Sequence, residues 1–483
     1  MRLTFERPGS IHQWRQCDGP SMALLFHQDG NPIWEPAIHN QLNGEGKAGG
    51  EFPITYYIAG KLYSLFGFHE SILRSLHLLI LLTGVFVLLH ATLQTSSIPI
   101  ISVFPFIFFF NSPTLLFYAD NFLPDGPGLG FSLMGLALSL LYFQQGKRVT
   151  WYLAATAFSL SMLVKISMVF PFIAIVILEG CYHFWPSTDE RYPHWGKSRW
   201  SLILAGIVIV FIPSIIWYVY IQGYNEANHG LYFLTAATPF WNDPPEQLWQ
   251  TWIGFRTYWL PVLWPKINQY ILIGSIMFFI AFSFRKKQSL SLLVTLLALG
   301  SLAYALLFFH QFQHHDYYYL TLMILPLMIT VSVTQLLAEI LTRASMQQLK
   351  LGAVLVLSIL SLRSSQASIY LFKDSYLRWF EVHTFNASLN DLEPWLEDHG
   401  ISKSDKVICL PDMSPNQSLY LMNRKGWTGL TGLYDSQDVE SVIHLGAKYA
   451  IITDTTFAGL TFLQYHITDT IGYHGNIGVY KID

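Results

Sequence analysis

Four polar clusters hold the side chains able to do chemistry. HQWRQCDGPSMALLF carries His12, Trp14, Arg15 and Asp18, and EFPITYYIAGKLYSLFG carries Glu51, Tyr56 and Tyr57. YADNFLPDG carries Asp120 and Asp125, and HHDYYY carries His314, His315, Asp316, Tyr317 and Tyr318. Lys165 is an isolated cation. Positioned carboxylates act as general bases, fixed cations offset developing negative charge, and Tyr and Trp rings offer stacking faces. Each cluster also has a structural reading. A loop carboxylate is usually solvated. Asp125, between Pro124 and Gly126, could cap the following helix. His314 and His315 are adjacent and point apart, whereas a metal needs ligands that converge. Lys165 could extend to lipid headgroups, and the tyrosine run fits an interfacial belt.

The elements that must position these groups are membrane spans. Of 483 residues, 52% are apolar, 16% aromatic and 12% charged. A soluble domain carries roughly 25% charged residues, and the mean hydropathy here is +0.36. The net charge of −3 supplies no basic face for nucleic acid. Three cysteines, Cys17, Cys181 and Cys409, show no CxxC or zinc spacing. Free thiols are the expectation, with a Cys17–Cys409 bridge the alternative. The opening MRLTFERPGSIHQWRQCD has no apolar stretch of the kind a cleavable leader needs.

Apolar runs of span length predict an α-helical polytopic membrane protein with about ten spans: 72–95, 98–117, 126–143, 150–165, 166–183, 200–220, 266–284, 289–309, 317–338 and 350–363. The run 150–183 is too long for one helix, and a tight hairpin with Lys165 at its tip is predicted. The basic loops test this. Lys147 and Arg148, then Arg191, Lys197 and Arg199, then Arg285 to Lys287, then Arg343 and Lys350 share one side only if the hairpin counts as two spans. Basic loops face the cytoplasm. All four polar clusters, Lys165, the loop 221–265 and everything after about 364 then face outward. Carboxylates, cations and aromatics thus gather on one side of an inner membrane. No span precedes the outward segment 1–71, so a first span missing from this chain is expected.

Three regions follow: a first outer loop with interfacial helices (1–71), a transmembrane region (72–363), and a small C-terminal extracytoplasmic α/β domain (364–483). In the last, β-like runs at 406–411, 418–422, 448–454 and 477–482 alternate with helix-like stretches SLNDLEPWLEDHG and DVESVIHLGA. From Pro53 onward the spacing predicts an amphipathic helix on the membrane surface.

The first cluster, followed by EFPITYYIAGKLYSLFG and Arg74, resembles the first outer loop of the GT-C membrane glycosyltransferases. The likeness is to bacterial members of the dolichyl-phosphate-mannose protein mannosyltransferase family (glycosyltransferase family 39) and to the lipid A aminoarabinose transferases. The PDG loop, the hairpin lysine and the HDYY segment follow in the family's order, so the likeness runs over roughly residues 8–335. It implies a sugar donor linked to polyprenyl phosphate and reaction at the outer face. Asp18 stands at the family's base position. Glu51 opens the Glu-x-Pro segment, and Asp125 matches the acid of the second outer loop. The family also has a span before the first loop, which this sequence does not show.

Such a donor already has a good leaving group, so one carboxylate suffices for an inverting single displacement. Asp18 is the expected base, with Arg15, Lys165 and Arg256 against the leaving phosphate. His12, Trp14, Tyr57, Asp120, His315, Asp316, Tyr317 and Tyr318 are expected around the substrate. The expected partners are the polyprenyl-phosphate sugar, membrane lipid, and a protein, lipid or glycan acceptor. A divalent metal is admitted but not indicated. A transporter or flippase of lipid-linked glycans is the alternative. It would show internal repeats with ionisable groups near the midplane; no clear repeat is present. A non-catalytic assembly protein is a third reading.

Overall fold

A computed structural model describes the chain except residues 1–2, 43, 186, 231–232, 234–236, 284–288, 344–346, 380–384, 434 and 455–457. The basic run Arg285 to Lys287 lies outside the described residues. Among the described residues, seven helices are long and apolar enough to cross a bilayer: Glu70–Leu93, Asp125–Gln145, Ile166–Phe184, Trp200–Ala227, Ser289–Leu307, Asp316–Arg343 and Gln347–Leu377. Two bent pairs each pass the same test together, Pro99–Phe110 with Pro113–Ala119 (81°) and Pro245–Leu263 with Lys266–Phe282 (98°). Both breaks fall at a proline, Pro113 or Pro265, which cannot continue the helical ladder. With the 17-residue helix Arg148–Val164, these elements occupy all ten expected stretches. The chain is a multi-pass membrane protein.

The chain divides into two compact units. One comprises His77–Trp217 and Ala236–Arg378. In it, helices Asp125–Gln145 and Arg148–Val164 turn at Gly146, whose φ of +72° suits a glycine C-cap. The helix breaks where the hairpin tip is expected, with Lys165 between Val164 and the short 3-10 turn Ile166–Val169. Helices Glu70–Leu93 and Asp125–Gln145 meet at two glycines. A Cβ on Gly84 would stand 2.1 Å from the Gly130 carbonyl oxygen. In lipid, where no hydrophobic force joins helices, such small-residue contacts let backbones pack.

The other unit comprises Met1–Leu76, Tyr218–Thr235 and Trp379–Asp483. It contains a five-stranded sheet of order β2-β1-β3-β5-β4, from β1 (Lys406–Leu410), β2 (Gly426–Thr428), β3 (Ala447–Ile452), β4 (Ile467–His474) and β5 (Ile477–Ile482). β1 runs parallel to β2 and β3, while β5 is antiparallel to β3 and β4. Side chains alternate across it. Val407 and Cys409 join a core with Leu392, Leu396, Cys17 and Leu24, whereas Ile408 and Leu410 face Trp427, Val439 and Val442. Cys17 and Cys409 are buried free thiols.

The run 418–422 is a correction: it is a helix, Gln417–Leu421. All five of its residues are buried, so no polar face reveals the helical period. Ser414 Oγ and Asp412 Oδ2 accept its first N–H groups, from Gln417 and Ser418.

In the same unit, helices Asp18–Gln28 and Ile54–Phe66 pack together through Gly60, where a Cβ would stand 2.7 Å from the Ala23 carbonyl oxygen. The stretch from Pro53 is thus helical, as expected, over Ile54–Phe66. The chain between them is pinned at several points. Asn225 exchanges two hydrogen bonds with the Gly49 backbone, and the Tyr220 and Tyr224 hydroxyls donate to the carbonyls of Trp34 and Pro36.

Candidate active site

In the unit holding the sheet, a short helix Gln13–Gln16 leads into Asp18–Gln28. Gln13 donates to the Pro8 carbonyl (2.8 Å) and Gln16 to the Gly9 carbonyl (2.6 Å), so two buried amides lock this entry. The i,i+3 spacing then sets Arg15 beside Asp18, Nη1 to Oδ2 3.0 Å. The other guanidinium nitrogen reaches Glu51, 3.2 Å from Oε1 and 3.4 Å from Oε2. Asp18 is 1% exposed and Glu51 13%. The Tyr56 hydroxyl donates to Glu51 Oε1 at 2.9 Å. Burial, and after it the Glu51 carboxylate, push the Tyr56 phenol well above its ordinary value, so it is a donor at neutral pH. Phe233 lies under Arg15, 6.0 Å from ring centre to Cζ.

One guanidinium thus fixes two carboxylates, leaving one negative charge in excess when both are ionised. Such a group can hold a cation, orient a hydroxyl or accept its proton.

His12 and Trp14 flank this cluster, both half-buried, with His12 in the left-handed region (φ 55°). Tyr57 turns elsewhere, edge-on to Phe26 (5.3 Å) with the Lys61 ammonium over its ring (4.9 Å). Its neighbour Tyr56 is the tyrosine that reaches Glu51. A second buried group in this unit, Arg7 Nε to Glu70 Oε1 at 2.9 Å with the Tyr420 hydroxyl 3.4 Å from the same oxygen, had no sequence signal.

In the transmembrane unit, Asp125 opens helix Asp125–Gln145, and its Oδ1 lies 2.9 Å from Lys165 Nζ. Lys165 can approach because Gly128 lacks a side chain; a Cβ there would stand 2.9 Å from Lys165 Cβ. Extended backbone at Lys165 (φ −152°, ψ 99°) ends the helix and turns the ammonium toward Tyr318 (4.7 Å) and Tyr317 (5.7 Å). The His315 ring lies beside both tyrosines, at 5.3 and 6.1 Å. The structure therefore brings Asp125, Lys165, His315, Tyr317 and Tyr318 together.

Asp316, between His315 and Tyr317 in the chain, is bound by other tyrosines. It is buried, and both its oxygens accept tyrosine hydroxyls, Oδ1 from Tyr118 and Oδ2 from Tyr376 at 2.6 Å. Asp120 is half-buried at the end of helix Pro113–Ala119. Arg256 is exposed on a π-helical turn and does not join the Asp125–Lys165 pair. Among the described residues, no three His, Cys, Asp or Glu side chains converge as metal ligands.

No protein-family model matches the chain, and no curated protein sequence matches it. Solved structures do. ArnT from Cupriavidus metallidurans, a lipid A aminoarabinose transferase, aligns in its apo state over 99% of this chain and 95% of its own, with 12% identity and a TM-score of 0.64. The same protein bound to undecaprenyl phosphate aligns over the same shares at 13% identity and 0.61. The apo oligosaccharyltransferase of Archaeoglobus fulgidus aligns over 92% of this chain and 66% of its own, at 11% identity and 0.52. At these identities the likeness is one of fold. The chain shares the fold of these two proteins, and the resemblance read from the first loop holds at the level of fold.

Proposed function

We infer that a chain with this fold and a buried Arg15-bridged carboxylate pair is an inverting glycosyltransferase. It moves a sugar from a polyprenyl-phosphate carrier to an acceptor hydroxyl at the outer face of the inner membrane. The observation that carries this reading is Asp18, 1% exposed and held by Arg15 at 3.0 Å. The undecaprenyl phosphate bound to the structurally similar ArnT supports the donor class. Asp18 accepts the acceptor's hydroxyl proton as the new oxygen–carbon bond forms at the anomeric carbon. The bond from that carbon to the phosphate oxygen breaks, and polyprenyl phosphate departs with the electron pair. One displacement inverts the anomeric centre.

Glu51 sets the Arg15 guanidinium with Tyr56 behind it. Arg15 and Lys165 are the cations assigned to phosphate. Each already faces a carboxylate, so each is ordered before a donor arrives, which lowers the entropic cost of binding. Tyr317, Tyr318 and His315 offer Lys165 an aromatic wall. On this reading the C-terminus is extracytoplasmic with the reacting groups, so a reporter fused after Asp483 should be active there; a cytoplasmic signal overturns this orientation.

The test is transfer by purified protein from a panel of polyprenyl-phosphate sugars. Asp18→Asn should lower the rate about 10²- to 10⁴-fold, the usual worth of a general base, with an unchanged melting temperature. Full activity in that variant overturns the base assignment. Wild-type protein that transfers nothing yet moves lipid-linked glycan across vesicles is a transporter instead.

A further inference from the structure

A second polar site lies in the transmembrane unit, among groups with no part in the transfer reading. A cavity of about 280 Å³ opens between the loops that carry Arg148 and Lys197–Arg199. It is lined by the Arg148, Lys197 and Arg199 side chains, His194, the hydroxyls of Ser198 and Ser201, and Tyr142. No acidic side chain lines it, and none of its three strong cations forms an ion pair among the described residues.

The cavity is built rather than incidental. The buried Glu179 carboxylate accepts the backbone N–H of Gly196 (2.8 Å) and of Ser198 (3.0 Å), which fixes the loop from inside the protein. Trp195 stacks on Phe143 at 4.3 Å, and the Tyr142 hydroxyl bonds Ser198 at 2.8 Å. Gly146 seats the His194 ring; a Cβ there would come 2.6 Å from ring atom Cε1. Two long helices also begin at the cavity, Arg148–Val164 and Trp200–Ala227. Their first N–H groups and positive dipole ends add to the fixed charge. Cytoplasmic loops are basic in any membrane protein, but that rule asks for no concave pocket, no buried carboxylate bracing its wall and no helix starts beside it.

We propose that this cavity binds a negatively charged phosphate group, either an anionic phospholipid headgroup or free phosphate. The guanidinium groups of Arg148 and Arg199 take phosphate oxygens in paired hydrogen bonds, and Ser198 and Ser201 donate hydroxyls. Val149, Leu153 and Leu204, each within two residues of a lining side chain, are exposed and apolar, a surface suited to acyl chains when the phosphate comes on a lipid.

The test uses the full chain, purified in detergent and delipidated. Binding is measured by native mass spectrometry with phosphatidylglycerol or phosphatidylcholine in mixed micelles, and by calorimetry with inorganic phosphate. Preference for phosphatidylglycerol over phosphatidylcholine identifies the lipid headgroup; equal binding of inorganic phosphate identifies the free ion. In either case Lys197→Gln with Arg199→Gln should weaken binding about tenfold or more, as should Arg148→Gln alone, through lost charge-assisted contacts. Arg343→Gln, an exposed cation on another basic loop, should change nothing. No binding of either probe, undiminished binding by the double variant, or an equal loss in Arg343→Gln overturns the proposal.

Discussion

Lys165 holds its ammonium 2.9 Å from the Asp125 carboxylate, which is 1% exposed. A carboxylate so buried depends on its cation, because removing one partner of a buried pair strands the other. Lys165→Met should therefore destabilise the protein by about 3 kcal/mol. Asp125→Asn added to it should recover part of the loss, since no buried charge then remains. Melting temperatures of the detergent-solubilised variants measure both effects. A Lys165→Met protein that melts with the wild type shows that the pair does not support the fold.

His39 gives the stability a pH dependence. Burial holds its imidazole down at about 4, against an ordinary 6.5. The hydrogen bonds suit the neutral ring: Nδ1 meets Ser21 Oγ at 2.7 Å and Nε2 meets Asn423 Oδ1 at 3.3 Å. Above pH 6.5 the group is neutral in both folded and unfolded chains and costs nothing. Between about 6.5 and 4 only the unfolded chain takes up the proton, so stability falls as pH falls through that window. The loss approaches about 3 kcal/mol and levels off below the folded value. His39→Gln should flatten that part of a melting-temperature profile from pH 7 to pH 4; an unchanged slope would assign the dependence to other groups.

The glycine contact between helices Glu70–Leu93 and Asp125–Gln145 leaves no room for a methyl group. A Cβ on Gly130 would stand 2.6 Å from Leu81 Cα, and one on Gly84 would meet the Gly130 carbonyl. Both obstacles are backbone, so no side chain can swing aside. Gly130→Ala should cost about 1–3 kcal/mol. Gly84→Ala on top of it should cost less than its own single effect, because the first substitution has already parted the helices. A melting temperature for Gly130→Ala at or above that of the wild type would contradict this packing.

Much of this architecture is legible in the sequence because lipid leaves few choices. Spans need long apolar runs, and helices lie in all ten stretches that hydropathy marks, although two belong to pairs bent by 81° and 98°. The helix break at Lys165 is legible because a cation interrupts an apolar run too long for one helix. Strands β1, β3 and β5 show as apolar runs. β4 does not, since ITDTIGYH is a largely exposed edge strand with little apolar pattern. Within the candidate site, Arg15–Asp18 can be read from its i,i+3 spacing. Arg15–Glu51 cannot, because it closes across 36 residues and depends on how the intervening loop is pinned. Tyr118 and Tyr376 reach Asp316 from 198 and 60 residues away, with nothing local to mark them.

The loop that presents Glu51 is tied to the far end of the chain. Gln41 donates to the Gly426 carbonyl at 2.7 Å, Gly426 donates back to His39 at 3.1 Å, and Trp427 Nε1 donates to the Leu42 carbonyl at 2.8 Å. Asn40 also bonds Pro415, 375 residues later. At a synthesis rate of roughly 5–20 residues per second, that interval takes about 20–75 seconds. Throughout it, the segment between the two carboxylates lacks its docking edge while the spans enter the bilayer. The carboxylate cluster is therefore among the last parts of the molecule to mature. A ribosome that stops short of β2 leaves a protein threaded through the membrane whose Asp18–Glu51 segment has nothing to close against.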